Sequence, residues 1–119
     1  MQSFVADGLQ RTIDRRSPDT AWGPCVDIYA PGDSVLLPSL DNGLRPTQQL
    51  WNGTSMSAGY VSGAAALFLE SHPTATPDEV VVALKAAATP GVVREARSPE
   101  TRLLYVGAPQ QQLATRTRR

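Results

Sequence analysis

Residues 51–63 read Trp-Asn-Gly-Thr-Ser-Met-Ser-Ala-Gly-Tyr-Val-Ser-Gly. Gly53, a turn residue, comes just before Thr54 and Ser55, and the chain then enters a segment rich in small and apolar side chains. That order predicts a helix start with a hydroxyl at its mouth. The first N–H groups of a helix have no partner inside it, and the helix dipole there favours negative charge. A serine so placed suits acyl transfer, since an oxyanion forming beside it meets donors already in position. The same residues also suit a plainer role, in which Thr54 or Ser55 simply caps the helix. Spacing alone favours the cap, because Ser and Thr are ordinary capping residues.

A second informative block lies upstream. Trp22-Gly23-Pro24 marks a turn, Cys25-Val26-Asp27-Ile28-Tyr29-Ala30 alternates as a strand, and Pro31-Gly32 ends it. Asp27 stands between apolar strand residues, where a structural pairing, a metal-binding role and a catalytic acid are all open to it.

Taken together, the two blocks point to a family. Gly53-Thr54-Ser55-Met56-Ser57-Ala58, with Val61 and Gly63 following, resembles the nucleophile signature of the subtilisin-like serine proteases. Residues 23–32 resemble a second signature of the same family, in the right order and at about the right spacing. The resemblance covers residues 3–107 and corresponds to the C-terminal part of the catalytic domain. It implies an α/β fold, the C-terminal part of a doubly wound parallel sheet with helices on both faces. On it, Ser55 is the nucleophile and the Ser55 backbone N–H is an oxyanion donor. One departure stands out: Gly59-Tyr60 occupies the place of the family's Pro-His pair. That His is not the catalytic base, but Gly in the first turns loosens the helix backbone.

Subtilase chemistry also needs a His base, an Asp that orients it and an Asn side chain at the oxyanion. By the family order these would all precede Met1, and they are absent from this chain. The resemblance thus implies a serine-type endopeptidase, present as a partial domain at residues 1–107. The alternative is a catalytically inactive remnant acting as a binding or scaffolding module, and an unrelated small α/β module with Ser55 as a mere cap is a third reading. Expected partners are a peptide or protein substrate and the N-terminal half of the domain. No cofactor is required for the chemistry. In the proteinase K-like branch the residue matching Asp27 supplies a carboxylate to a structural calcium. The other family ligands lie at or before the start of this chain, and a structural hydrogen bond is the simpler role for Asp27.

His72 is the single histidine. Mostly helical chain separates it from Ser55, about 25 Å at ~1.5 Å per residue. Proton transfer needs a reach of about 3 Å, so His72 is expected to be a surface loop residue.

Composition narrows the classes further. The 119 residues are 41% apolar with 11 basic and 11 acidic side chains, which fits a globular chain and gives no case for nucleic-acid or membrane-surface binding. Cys25 is the lone cysteine, so neither an intrachain disulfide nor a cysteine-paired zinc site can form, and a small buried apolar role is expected for it. The run 61–69 is too short to span a bilayer, which takes about 20 residues. Residues 1–7 lack the basic and apolar regions of a signal peptide, which by itself suggests a soluble intracellular polypeptide. Subtilases are mostly secreted, and the conflict suggests that Met1 is not the family's natural start.

Elsewhere, the apolar patch Phe4-Val5-Ala6 predicts a short strand followed by a surface loop, with Arg15 and Arg16 on a solvated face. This region loosely resembles the subtilase strand with an Asp-x-Arg exit. Val35-Leu36-Leu37 predicts a strand, and Pro38, Asp41-Asn42-Gly43 and Pro46 a turn-rich loop after it. The long helix is expected at 54–70, apolar nearly all round and so buried, with Gly59 and Gly63 letting neighbouring strands come close. Ser71-His72-Pro73 ends it. Thr76-Pro77-Asp78-Glu79 starts a second helix that stops near Thr89-Pro90-Gly91. Residues 92–100 read as loop, 101–106 as a closing strand, and the basic tail 108–119 as disordered and solvated.

Overall fold

The computed structural model describes residues 5–7, 11–41 and 43–107. Its elements are β1 (Val5–Asp7), β2 (Arg11–Ile13), β3 (Val35–Leu40), β4 (Pro46–Trp51), α1 (Thr54–Ser71) and α2 (Pro77–Ala87). The tail 108–119 lies outside the described residues.

Both helices form where local chemistry asks for them. α2 opens on a capping box: Glu79 N–H donates to Thr76 Oγ1 at 3.4 Å, and Glu79 Oε2 accepts Thr76 N–H at 2.7 Å. Pro77, Asp78 and Glu79 fill its first turn, where a missing N–H costs nothing and negative charge meets the dipole. α1 ends as expected at Ser71, with His72 as its C-cap. The His72 ring is exposed and stacks on Phe68 with 4.3 Å between centroids.

The strands differ more from expectation. β1 and β2 form an antiparallel hairpin in register Val5↔Ile13, so a second strand takes part of the expected loop. Residues 46–50, expected as loop, fall in the strand β4, which pairs antiparallel with β3 from Val35↔Trp51 to Leu40↔Pro46. The turn between them is organised by Asp41. Its Oδ1 accepts the N–H groups of Gly43 at 2.9 Å and Arg45 at 2.8 Å, which folds the chain back on itself. Pro38 is tolerated because a two-stranded ribbon is all edge.

Residues 25–30 alternate as predicted but build no ladder. Tyr29 N–H donates to Arg102 O at 2.9 Å and Tyr29 O accepts from Leu104 N–H at 2.8 Å, a single parallel bridge. Leu103 exchanges two bonds of 2.8 Å with Thr89 on its other side. The expected closing strand 101–106 therefore bridges both neighbours at Leu103 and builds no ladder.

The alternation sorts side chains onto two cores. Ile28 and Ala30 pack with Val61 of α1 and Ala88, flanked by Leu84 and Leu104. Tyr29 points the other way, with Val93 and Ala96, and its hydroxyl donates to Ala96 O at 3.0 Å. Cys25, expected to be buried, is exposed: it sits in the turn closed by Val26 N–H to Gly23 O, before the residues that enter the core.

Two further expectations change. α1 buries one narrow face, Ser57, Val61 and Ala64, and leaves Tyr60 and Leu67 exposed, because the described residues pack against that face alone. A Cβ at Gly59 or Gly63 would meet nothing within 4 Å, so no described strand uses their smallness.

Arg16 was expected on a solvated face and is instead buried. Its guanidinium donates to the carbonyls of Glu95, Ser17, Pro18 and Thr20. Arg15 stays exposed, 3.7 Å from Glu95.

Candidate active site

The mouth of α1 is built by Gly53. It is the N-cap residue at φ 149°, ψ 156°, a conformation that disfavours any side chain, and no side chain caps the helix. Thr54 and Ser55 have already entered the helix, whereas a capping hydroxyl must sit on the residue before it. The plain capping role is therefore excluded for both. Ser55 is exposed, and its hydroxyl has no hydrogen-bond partner among the described residues.

Two bonds fasten this mouth to the upstream block, and a third joins it to Ser34 just beyond. Gly53 N–H donates to Gly32 O at 2.7 Å, Ser57 Oγ to Ala30 O at 3.0 Å, and Ser34 N–H to Asn52 Oδ1 at 2.6 Å. Ser57 is fully buried. The two sequence blocks are thus one structural unit, in which residues 30–32 grip the helix on either side of Ser55.

Two concavities border the mouth. A groove of about 500 Å³ is lined by Ser55 with Val35, Leu37, Met56, Gly59 and Tyr60, so the Gly59-Tyr60 departure falls at the serine itself. A more polar cavity of about 390 Å³ lies between residues 17–20 and Gly32, Asp33, Asn52, Gly53 and Thr54.

The described residues do not fit a calcium centre at Asp27. Calcium takes six to eight oxygens. Asp27 is exposed, its recorded partner is the Lys85 ammonium at 3.3 Å, and no cluster of three candidate ligands occurs among the described residues.

Residues 7–110 match the family model described as "Subtilase family". The chain belongs to that family. It is 39% identical over 102 residues to the extracellular serine proteinase of Thermus sp. (strain Rt41A), covering 85% of this chain and 24% of that protein. It is 34% identical over 101 residues to alkaline serine exoprotease A of Vibrio alginolyticus, covering 85% of this chain and 18% of the relative. Among solved structures, a cold-adapted subtilisin-like serine proteinase superposes with a TM-score of 0.70 at 31% identity. That match covers 81% of this chain and 34% of the other. The α/β architecture is therefore that of part of a subtilisin-like fold, and this chain spans about a fifth to a quarter of the length of these curated relatives. No helix among the described residues is long and apolar enough to cross a membrane.

Asn52 and Ser57 help to build this mouth, and neither was given a role of its own from the sequence. Asn52 carried a signal, since an Asn before a Gly commonly bonds a nearby backbone group in a turn. Ser57 carried none, because its partner, Ala30, is 27 residues away in the chain.

Proposed function

We propose that Ser55 is the nucleophile of a serine endopeptidase, and that these residues are the nucleophile-bearing part of its catalytic domain. The observation that carries this is the exposed Ser55 hydroxyl in the first turn of α1, on a mouth that residues 30–32 hold in place. Ser55 Oγ attacks the scissile carbonyl and gives its proton to a base. The N–H groups that open the helix receive the oxyanion, the amine leaves with the proton, and water then releases the acyl group. His72 is too far away to be that base, so the base and its orienting carboxylate come from polypeptide other than these 119 residues.

The substrate is a peptide or protein. The partner is the remainder of a subtilase domain, which would cover apolar residues that now stand open, such as Leu36, Leu50, Leu67 and Val82. That the Thermus sp. relative is an extracellular serine proteinase supports secretion for the whole protein. No cofactor takes part in this chemistry. Tyr60, exposed at the serine groove in place of the family's His, favours a second reading as a non-catalytic binding module.

One experiment separates the two. The native protein is captured from its source with an antibody to residues 76–105, treated with a fluorophosphonate and mapped by mass. An adduct on Ser55 in a species well above 12.7 kDa is expected. A native species that takes no adduct overturns the endopeptidase reading and leaves the binding module.

A further inference from the structure

Among the described residues Arg16 is the one buried side chain that carries a charge, and it makes no ion pair with a described carboxylate. Its Nε donates to Glu95 O at 3.1 Å. Its Nη1 faces the carbonyls of Ser17 at 2.8 Å, Thr20 at 2.7 Å and Pro18 at 3.3 Å. Burying a full charge is costly unless it is met by other dipoles. A guanidinium bears this best, being planar, weakly hydrated and always protonated.

The carbonyls matter as much as the cation. Three of the four belong to one tight turn, closed by Thr20 N–H to Ser17 O at 3.1 Å. Their negative ends converge on one point and repel each other there unless a positive group lies between them. Residues 17–20 also line the 390 Å³ cavity, together with Gly32, Asp33, Asn52, Gly53 and Thr54. Ser55 itself is held separately, through Gly53 and Ser57 on residues 30–32.

We infer that Arg16 is a positioning residue: its buried charge draws residues 17–20 into the cavity wall beside the nucleophile and so governs the fit of a peptide there, without setting the reactivity of Ser55. This rests on Ser55 being the nucleophile. A peptide lying across the helix mouth places a side chain against this wall. A small acylating reagent at Ser55 does not need it.

The test uses the native-length protein from its own gene, with Arg16→Ala and Arg16→Lys. Three quantities are read: the rate of fluorophosphonate labelling at Ser55, kcat and KM on quenched peptides extending to both sides of the scissile bond, and hydrogen exchange at the Thr20 amide. In Arg16→Ala, KM is expected to rise about tenfold and Thr20 exchange to quicken about tenfold, the size of a lost charge-assisted hydrogen bond. Labelling is expected to stay within about twofold of wild type, a difference well under 1 kcal/mol. Guanidinium ion at tens of millimolar should fill the vacated site and restore both KM and exchange, with no effect on wild type. Arg16→Lys keeps a charge with a poorer fit and should fall between the two. It carries the test if the alanine variant does not fold.

Labelling and peptide turnover that fall together would mean a merely structural role and overturn the inference. So would an unchanged KM and an unchanged Thr20 exchange. If wild-type Ser55 takes no label, the nucleophile reading fails. The exchange arm then still decides whether Arg16 holds the turn, because unaltered exchange refutes it.

Discussion

The sharpest consequence of the geometry concerns the 119-residue chain taken by itself. α1 runs unbroken from Thr54 to Ser71, and His72 caps its far end with Nδ1 3.1 Å from Phe68 O. At ~1.5 Å per residue this rigid rod keeps Ser55 and His72 about 25 Å apart, against the roughly 3 Å that proton transfer requires. With no base, kcat should fall about 10⁶-fold below that of an intact triad. From a typical enzyme rate of about 10 s⁻¹, that leaves on the order of one turnover in a day or more. The assay is hydrolysis of a quenched casein peptide by the purified chain, run beside Ser55→Ala and His72→Ala. All three should sit at the buffer rate. Hydrolysis lost in Ser55→Ala alone would refute the need for an external base. Hydrolysis lost in both variants would show that His72 reaches a serine, which no straight α1 within one chain allows.

Three further outcomes follow from local contacts. Thr76→Ala removes the hydroxyl that receives Glu79 N–H and should cost about 1 kcal/mol, or roughly 4 °C in Tm, read by urea and thermal unfolding; an unchanged midpoint would mean that α2 is not capped in solution. Burial pushes the Glu100 carboxyl up, but the N–H groups of Arg102 and Thr101 and the Arg102 guanidinium outweigh it and leave the group below its ordinary value of 4.5. A lowered carboxylate contributes stability above its unfolded value, and this is lost as pH falls through the folded one. Glu100→Gln should therefore destabilise by about 1–3 kcal/mol at neutral pH and flatten the acid limb below 4.5, as followed by unfolding against pH. Asp27→Asn breaks an exposed pair with Lys85 and should cost no more than about 1 kcal/mol, with no change in Tm on adding calcium or EDTA; a calcium-dependent rise in Tm that the variant abolishes would restore the metal role.

What could be read from the sequence divides by how far away the deciding partner lies. Thr76, Pro77 and Glu79 settle the start of α2 among themselves, and Pro73 settles the end of α1, so both helices were legible. Gly53 before Thr54-Ser55 was legible for the same reason, because a backbone at φ 149° suits glycine alone. The strands were harder. Residues 25–30 have the right alternation, yet a ladder also needs neighbours, and only Tyr29 finds one on the 101–106 segment. Residues 46–50 look like loop because Pro46 and Gln48-Gln49 carry little strand preference. They become β4 because Asp41 gathers two N–H groups and turns the chain onto β3.

Arg16 shows the same limit at the site. Three of its four carbonyl partners, on Ser17, Pro18 and Thr20, are near in the chain, but no pattern in the sequence says that they gather on it, and the fourth, on Glu95, is 79 residues away. The difference has a functional side. The position of Ser55 follows from signals within a few residues of it, while the walls of the two concavities beside it also draw on distant partners. A family signature can therefore locate Ser55 in this chain without saying what Ser55 would cut. If Ser55 is the nucleophile, substrate preference is to be sought in residues 17–20 and in the β3–α1 groove, where long-range contacts help to set the shape.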